Sequence, residues 1–367
     1  MKIINYNFHL LFILLYTGFS FELFSQNEKP AEEASVEKKI NENTNEPASK
    51  VGGKVGGYIQ IQTYLENKGA GNIKTDTHDD GLRVRRARFF ISDKITDSIS
   101  LFFQLNANEK GVNLEDAEIN YKLSSDFSLK AGRVVLPFGL EIYEDSDSIS
   151  FAERSRFWSY LFYEKKSNGL RLDYQHDRFL WQNAFFYKYT DGITSIRRQE
   201  VLSRISLDGN FFSGIGFLAA FNRVESVDQD SDIKLNAFLG VKSKTWRLYA
   251  ETLGWFQDFQ RFKTIGHGAH LTFEYFLSPQ WLLANRAAYV YLRNTTSRES
   301  QEVGYYEKVT DVPSKESVDY TLSLAYYFKP QKESDNKSKI SVDYNMSFHK
   351  SNILAHSFYL TMQACFR

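Results

Sequence analysis

The feature that most constrains the fold of this chain is a recurring alternation of apolar and polar residues with a period of two. The alternation begins near Val55 and returns in runs of about ten residues, each followed by a turn or a polar insertion. In the run 316–328, Val318, Leu322 and Leu324 fall on one face, opposite residues such as Ser323. Because successive side chains of a strand point to opposite faces, each run predicts a β-strand with one apolar face.

About sixteen such runs can be counted, and an even number places both chain ends on the same side of a closed barrel. No sustained helical period competes with them. The predicted strands are 55–65, 82–92, 98–107, 114–123, 126–135, 167–176, 179–189, 201–209, 213–222, 232–243, 245–256, 264–276, 280–292, 316–328, 339–349 and 356–366.

The composition excludes a helical membrane bundle and gives no sign of a nucleic-acid partner. A mean hydropathy of -0.42 is too low for a bundle of membrane-spanning helices, which needs several apolar runs of about 20 residues. A membrane β-barrel is compatible with that value, because only every second residue of its strands faces lipid. The 45 Lys and Arg residues are balanced by 45 Asp and Glu residues, so the net charge does not indicate a nucleic-acid partner.

The connections between the predicted strands favour a membrane barrel over a soluble sandwich. Short links such as 124–125 and 177–178 alternate with longer polar ones such as 66–81 and 136–166. Bacterial outer-membrane barrels have short periplasmic turns and long outer loops. Aromatic residues also gather at strand ends, as at 185–189, where an interfacial girdle requires them. We therefore predict an all-β, transmembrane antiparallel barrel surrounded by outer-membrane lipid.

The N-terminal region predicts export. Lys2 precedes a largely apolar stretch, 8–24, and a plausible cleavage site follows Ser25, as in a secretory signal peptide. The next segment, 26–54, is rich in Glu, Lys, Asn and Pro over most of its length and holds too few apolar residues to fold alone. The predicted organisation is a signal peptide (1–25), a disordered periplasmic arm (26–54) and an outer-membrane barrel (55–367).

The third outer connection, 136–166, is the longest and mixes apolar residues such as Phe138 and Trp158 with charged ones. A loop of this composition would expose a large apolar surface to water, so we expect it to fold into the barrel lumen. There its charged side chains would select ions by sign. The alternative is a loop that caps the barrel from outside. The constriction candidates in or beside it are Arg133, Glu141, Arg154, Arg156, Lys165 and Lys166.

Four arginines crowd the second predicted strand: Arg83, Arg85, Arg86 and Arg88. Regular alternation puts the first two on one face and the last two on the other. An arginine at the bilayer midplane costs about 2–4 kcal/mol, so only one pair can line the lumen deeply. We take the first pair as pore-lining candidates. Two interpretations stay open: an anion ladder, or a salt-bridge lattice in which Asp116 and Glu118 are the candidate partners.

Three short runs are distinctive in type and spacing: Arg-Arg-Ala-Arg-Phe at 85–89, Gly-Arg-Val-Val-Leu-Pro-Phe-Gly-Leu-Glu at 132–141, and Glu-Arg-Ser at 153–155. Together they resemble the phosphate-selective porin O and P family, and in order and spacing the resemblance extends over about 55–367. The resemblance implies a sixteen-stranded homotrimeric barrel whose third loop folds inward. It also implies selectivity for phosphate or polyphosphate through arginine and lysine side chains that line the pore.

Constellations typical of enzymes or metal sites do not stand out. His267 and His270 are three residues apart on a predicted strand, so they point to opposite faces and cannot share a metal. The chain has no Gly-x-Ser-x-Gly elbow, phosphate loop or zinc-type cysteine pair, and Cys365 is its only cysteine. His349 and His356 lie near several serines, an arrangement that chance explains. We expect no catalytic residue, metal or cofactor.

The sequence therefore predicts an outer-membrane porin that allows passive diffusion of small polar solutes or ions, with anions such as phosphate as one candidate cargo. The main alternative is a surface-exposed ligand-binding or adhesin barrel with no open channel. An outer-membrane hydrolase is a third interpretation. The sequence leaves the sign of the selectivity and the pore size open.

Overall fold

The computed structural model describes residues 53–67, 78–109, 111–155, 158, 166–190, 196–224, 227–259, 262–294, 315–330, 337–349 and 354–366. The predicted signal peptide and nearly all of the predicted arm lie outside these residues. No helix in the described part of the chain is long and apolar enough to cross a membrane.

The described residues form sixteen strands, the number predicted. They begin and end close to the predicted positions, although β8 and β10 start earlier because polar residues continue the ladder there. The strands are β1 (Lys54–Asn67), β2 (His78–Lys94), β3 (Ile99–Asn108), β4 (Gly111–Lys122), β5 (Phe127–Val135), β6 (Lys166–His176), β7 (Phe179–Thr190), β8 (Ile196–Leu207), β9 (Phe211–Val224), β10 (Val227–Lys242), β11 (Trp246–Phe259), β12 (Phe262–Phe276), β13 (Trp281–Asn294), β14 (Lys315–Tyr327), β15 (Lys339–His349) and β16 (Leu354–Phe366).

The strands close into one antiparallel barrel in which each strand pairs with its neighbours along the chain. The ring is completed between β1 and β16, where Gly57 lies opposite Phe366 and Glu66 opposite Ser357. Closure gives both edges of every strand a hydrogen-bonding partner, which a sheet needs in order to span lipid. The predicted all-β barrel is confirmed.

The two faces of the wall differ as the alternation predicted. On β1, Ile59 and Ile61 are exposed on the outer surface, whereas Gln60 and Gln62 are buried inside the barrel. One detail of the predicted aromatic girdle is wrong: Phe186 is fully buried inside the barrel while its neighbours Phe185 and Tyr187 face outward. A strand alternates strictly, so consecutive aromatics cannot all belong to one girdle.

The connections at the two rims differ in length. The rim at which β1 begins and β16 ends has tight turns such as 177–178, and we call it the periplasmic rim. Its longest connection is 328–338. The opposite rim carries the third loop, 136–165, but β3 and β4 are joined there by only 109–110, and β11 and β12 by 260–261. The predicted alternation of loop length is therefore incomplete.

Candidate pore constriction

The described part of the third loop packs against the inner wall of the barrel. Leu136, Phe138 and Trp158 are almost completely buried in one apolar cluster with the lumen faces of β7, β8, β9, β11 and β13. Full burial of such a side chain stabilises by about 1.5–3 kcal/mol. The wall contributes Ala184, Phe186, Leu202, Leu218, Ala220, Leu253, Trp255, Val290 and Leu292. The prediction of a loop inside the lumen is confirmed, and the outside cap is excluded for 136–155.

Gly139 is required by the path of this loop. Its φ is +73°, in the left-handed region that favours glycine, and a Cβ there would stand 2.4 Å from the indole ring of Trp158. The same indole packs edge-on against Phe138, with ring centroids 6.2 Å apart. The Pro-Phe-Gly segment of the sequence therefore encodes a tight bend that Trp158 covers.

Glu251, on β11, is the main polar anchor of the loop. It is buried, and its carboxylate faces five nitrogen atoms from the loop and the wall: Leu140 N, Glu141 N at 3.1 Å, Trp158 Nε1 at 3.1 Å, Asn236 Nδ2 at 3.1 Å and His270 Nε2 at 3.2 Å. Sequence reasoning missed Glu251. The available signal was a carboxylate in the middle of an alternating strand, which has to face the lumen.

Glu141 joins the two loop motifs to the wall. Its carboxylate accepts a 2.7 Å hydrogen bond from Arg286 on β13 and a 2.8 Å hydrogen bond from the backbone N–H of Ser155. The guanidinium of Arg154 donates to the backbone carbonyls of Glu141 and Glu144. Runs 132–141 and 153–155 thus form one hydrogen-bonded unit. Glu141 is buried in that unit rather than exposed to the pore.

Glu141, Glu251 and His270 could in principle hold a metal ion, because one ligand atom from each lies within 4.8 Å of the others. Nitrogen donors already occupy both oxygens of Glu251, and Arg286 contacts Glu141. The donor set therefore favours an internal hydrogen-bond network over a cation. His267 is on the opposite, exposed face of β12, in agreement with the predicted alternation.

The serines near His349 and His356 do not form a hydrolytic constellation in the described residues. Ser347 and Ser357 are buried on the inner face, whereas His356 lies on the outer face, where its Nδ1 is 2.6 Å from the hydroxyl of Tyr344. The side chain of His349 lies outside the description.

The middle of the loop reaches across the lumen to the strands that close the barrel. Ser150 Oγ donates to Glu274 on β12 at 2.8 Å, and the backbone N–H of Ala152 donates to Asp343 on β15 at 3.0 Å. Lys339 Nζ donates to the carbonyl of Ile149 at 2.6 Å. A segment that starts from β5 and is fixed to β12 and β15 crosses the lumen and narrows it.

A β-bulge decides where the strand-β2 arginines point. Gln60 pairs with Arg86 and Ile61 pairs with Val84, so Arg85 is an extra residue on β2. One extra residue moves each following side chain of the strand to the opposite face of the sheet. Arg83 lies opposite Gln62 and Arg86 opposite Gln60, and both glutamines face the lumen. The predicted division of the arginines between two faces is wrong: all four, which we call the arginine row, point inward.

The partners of the arginine row also differ from the predicted ones. Arg85 and Arg83 contact Glu153 of the loop, and Arg88 contacts Glu115 at 2.6 Å. Within the described residues, Arg86 has no carboxylate at salt-bridge distance. The predicted partners are engaged elsewhere, Asp116 with Lys166 and Glu118 with Lys130.

The remaining site candidates are placed as follows. Lys166 is buried in its ion pair with Asp116, which makes it part of the wall. Arg133 is on the opposite face of β5 from buried Val134, and its Nε donates to the carbonyl of Leu114, so it does not line the lumen. Arg156 and Lys165 lie outside the described residues.

Glu144 gives the loop a group that titrates near neutrality. It lies on the third loop, outside the sixteen strands. Burial raises its pKa to about 7; Arg247, 3.5 Å away, acts to lower the pKa, and the negative charge of Glu274 acts to raise it. The charge inside the lumen therefore changes around pH 7.

Comparison with known proteins identifies this architecture. Residues 55–211 match the family described as phosphate-selective porin O and P, a stretch that holds the arginine row and both loop motifs. The chain is an outer-membrane porin, and over residues 55–211 it is similar to this family. The porin allows small polar solutes or ions to diffuse through the outer membrane, and the barrel without a channel is set aside. Porins are channels rather than enzymes. No curated relative matches the porin in sequence.

Solved structures share the fold of the porin at low sequence identity. An anion-selective porin from Comamonas acidovorans is 9% identical with a TM-score of 0.63, covering 86% of the porin and 100% of that chain. The outer-membrane channel DcaP of Acinetobacter baumannii is 10% identical with a TM-score of 0.61, covering 87% and 99%. A trimer form of OmpT from Vibrio cholerae is 10% identical with a TM-score of 0.57, covering 86% and 99%.

Proposed function

We propose that the porin conducts small anions in preference to cations, with the arginine row as its selective element. The observation that carries the proposal is the bulge at Arg85, which turns four guanidinium groups of one strand toward the lumen. Cationic side chains that line a narrow, low-dielectric passage attract anions and repel cations.

Within the described residues, three arginines of the row are paired with a carboxylate, and Arg86 is not. Residues 136–166 contain six acids and four bases, yet Glu141 is buried against Arg286, away from the pore. Glu153 is the acid that reaches the row, and it is shared between Arg83 and Arg85. Arg86 has no described carboxylate at salt-bridge distance. Among the four arginines, Arg86 is therefore the one whose charge is available to a permeating anion at close range.

Phosphate is the specific cargo we favour. A guanidinium binds phosphate with two parallel hydrogen bonds, which makes arginine better suited than lysine to recognising its geometry. The description of the matching family names phosphate, and the Comamonas acidovorans porin is described as anion-selective.

The test is the reversal potential of the purified porin in a planar bilayer across a KCl gradient. We expect an anion-sided potential, and Arg86→Gln should move it toward the cation side because one pore charge is lost. Lys94→Gln, at the exposed periplasmic turn, is the matched control and should have a smaller effect. A cation-sided potential for the unmodified porin would refute the proposal.

We also propose a homotrimer with its apolar outer face in outer-membrane lipid. We further propose that export removes residues 1–25 and leaves 26–53 as a periplasmic arm, one residue shorter than predicted because Lys54 already belongs to β1. The trimer form of OmpT supports the assembly. Native mass measurement in detergent and N-terminal sequencing of the mature chain test the two parts. A monomeric mass, or a mature chain that begins elsewhere, would contradict them.

A further inference from the structure

The contact between Glu153 and the arginine row has the geometry of a bound ligand. Arg85 Nε lies 2.8 Å from Glu153 Oε1, and Arg85 Nη2 lies 2.5 Å from Oε2. Arg83 Nη2 is 3.4 Å from Oε1. This is the bidentate arrangement in which arginine recognises a carboxylate or a phosphate. The loop carboxylate therefore stands where an oxyanion would bind.

The arginines are held by the barrel wall and do not depend on Glu153 for their orientation. Arg85 Nη1 donates to Gln60 Oε1 at 3.2 Å, and Arg83 Nε donates to Gln62 Oε1 at 2.9 Å. The glutamines are fixed in turn by β16, through Gln363 and Thr361. Such supporting contacts keep a binding group preorganised when its ligand leaves.

The Glu153 carboxylate can move away from Arg83 and Arg85 by side-chain rotation alone. Its side chain keeps 41% of its surface exposed, whereas that of Arg85 keeps 10%. The backbone on either side is fixed, by the Ala152 N–H on Asp343 and by Ser155 on Glu141. Displacement of the carboxylate therefore leaves the loop in place.

From this geometry, and resting on the proposed anion preference, we propose that Glu153 is a specificity-determining residue that competes with permeating oxyanions for Arg83 and Arg85. The ligand class is a small oxyanion, phosphate or a carboxylate, which can take both guanidinium hydrogen bonds. Chloride offers a single acceptor atom and cannot reproduce the bidentate contact. A tethered competitor acts at a high effective concentration, of millimolar order for short tethers, and so weakens oxyanion binding.

The experiment measures chloride current through single channels while inorganic phosphate is added at pH 7. Glu153→Gln removes the competing charge with little change of shape, and we expect the half-blocking phosphate concentration to fall by about tenfold. Adding Arg85→Gln to Glu153→Gln should raise it again, because the site itself is lost. Glu118→Gln removes another inward acid, the partner of Lys130, and is the control for a general charge effect.

An unchanged half-blocking concentration in a folded Glu153→Gln channel would overturn the inference, as would an equal fall with Glu118→Gln. Folding is checked by the heat-dependent mobility of the barrel in gels. If the Glu153 variant fails to fold, Arg85→Gln alone decides: phosphate block that persists at the original concentration refutes the site. The reversal potential of the unmodified porin in KCl is independent of these results, so a failure of the anion preference is told apart from a failure of this inference.

Discussion

The guanidinium of Arg286 lies 2.7 Å from the carboxylate of Glu141, and this ion pair fastens the third loop to β13 inside the barrel. Both side chains are almost completely buried. Arg286 also donates a 3.0 Å hydrogen bond to the carbonyl of Glu153, so one wall residue holds both loop motifs. The position of Glu153 beside the arginine row depends on this attachment.

Removal of Arg286 should therefore destabilise the porin strongly. Arg286→Gln leaves Glu141 buried without its cation, and breaking a buried pair costs about 3–5 kcal/mol. Urea unfolding of the folded barrel in detergent measures the change. Arg247→Gln is the matched control, since Arg247 is partly exposed and lies 3.5 Å from Glu144, and it should cost less. Equal losses for the two variants would contradict the anchoring role of Arg286.

Gly139→Ala should displace the loop locally. The left-handed backbone costs a non-glycine residue about 1–2 kcal/mol, and the added methyl meets the Trp158 ring. We expect lower stability and a change in the fluorescence of the indole. Gly254→Ala is the control, because a Cβ at Gly254 meets nothing within 4 Å and the backbone there is an ordinary strand. If both variants behave like the unmodified porin, the tight bend is not required.

Replacement of loop residues 140–155 by a short Gly-Ser linker should widen the channel. These residues cross the lumen and are fixed to β11, β12, β13 and β15. Single-channel conductance in KCl should rise, because conductance grows with the free cross-section. A folded variant with unchanged conductance would show that the narrowest point lies elsewhere.

The selectivity should depend on pH around neutrality through Glu144. Its raised pKa of about 7 means that the carboxylate is neutral below that pH and charged above it. We expect the anion preference to increase as the pH falls from 8 to 6, with a midpoint near 7. Glu144→Gln should remove that midpoint and fix the channel in its more anion-preferring state. A titration that is identical in this variant would assign the effect to another group.

The sequence by itself determined the wall. Period-two alternation encodes strands, so the sixteen strands followed from local pattern. The lengths of the connections and the aromatic residues at strand ends then favoured a closed barrel in lipid over a soluble sandwich. The apolar content of 136–166 likewise required burial, which put the loop in the lumen.

Only the tertiary structure decided the site. The bulge at Arg85 shifts the register by one residue, and nothing in a strictly alternating pattern marks it, yet it reverses the face of every residue beyond it. The anchors Glu251 and Arg286 are 110 and 145 positions from their contacts at Glu141. Such pairings depend on how strands that are far apart in sequence meet across the lumen. Local periodicity carries no information about which of these residues come into contact.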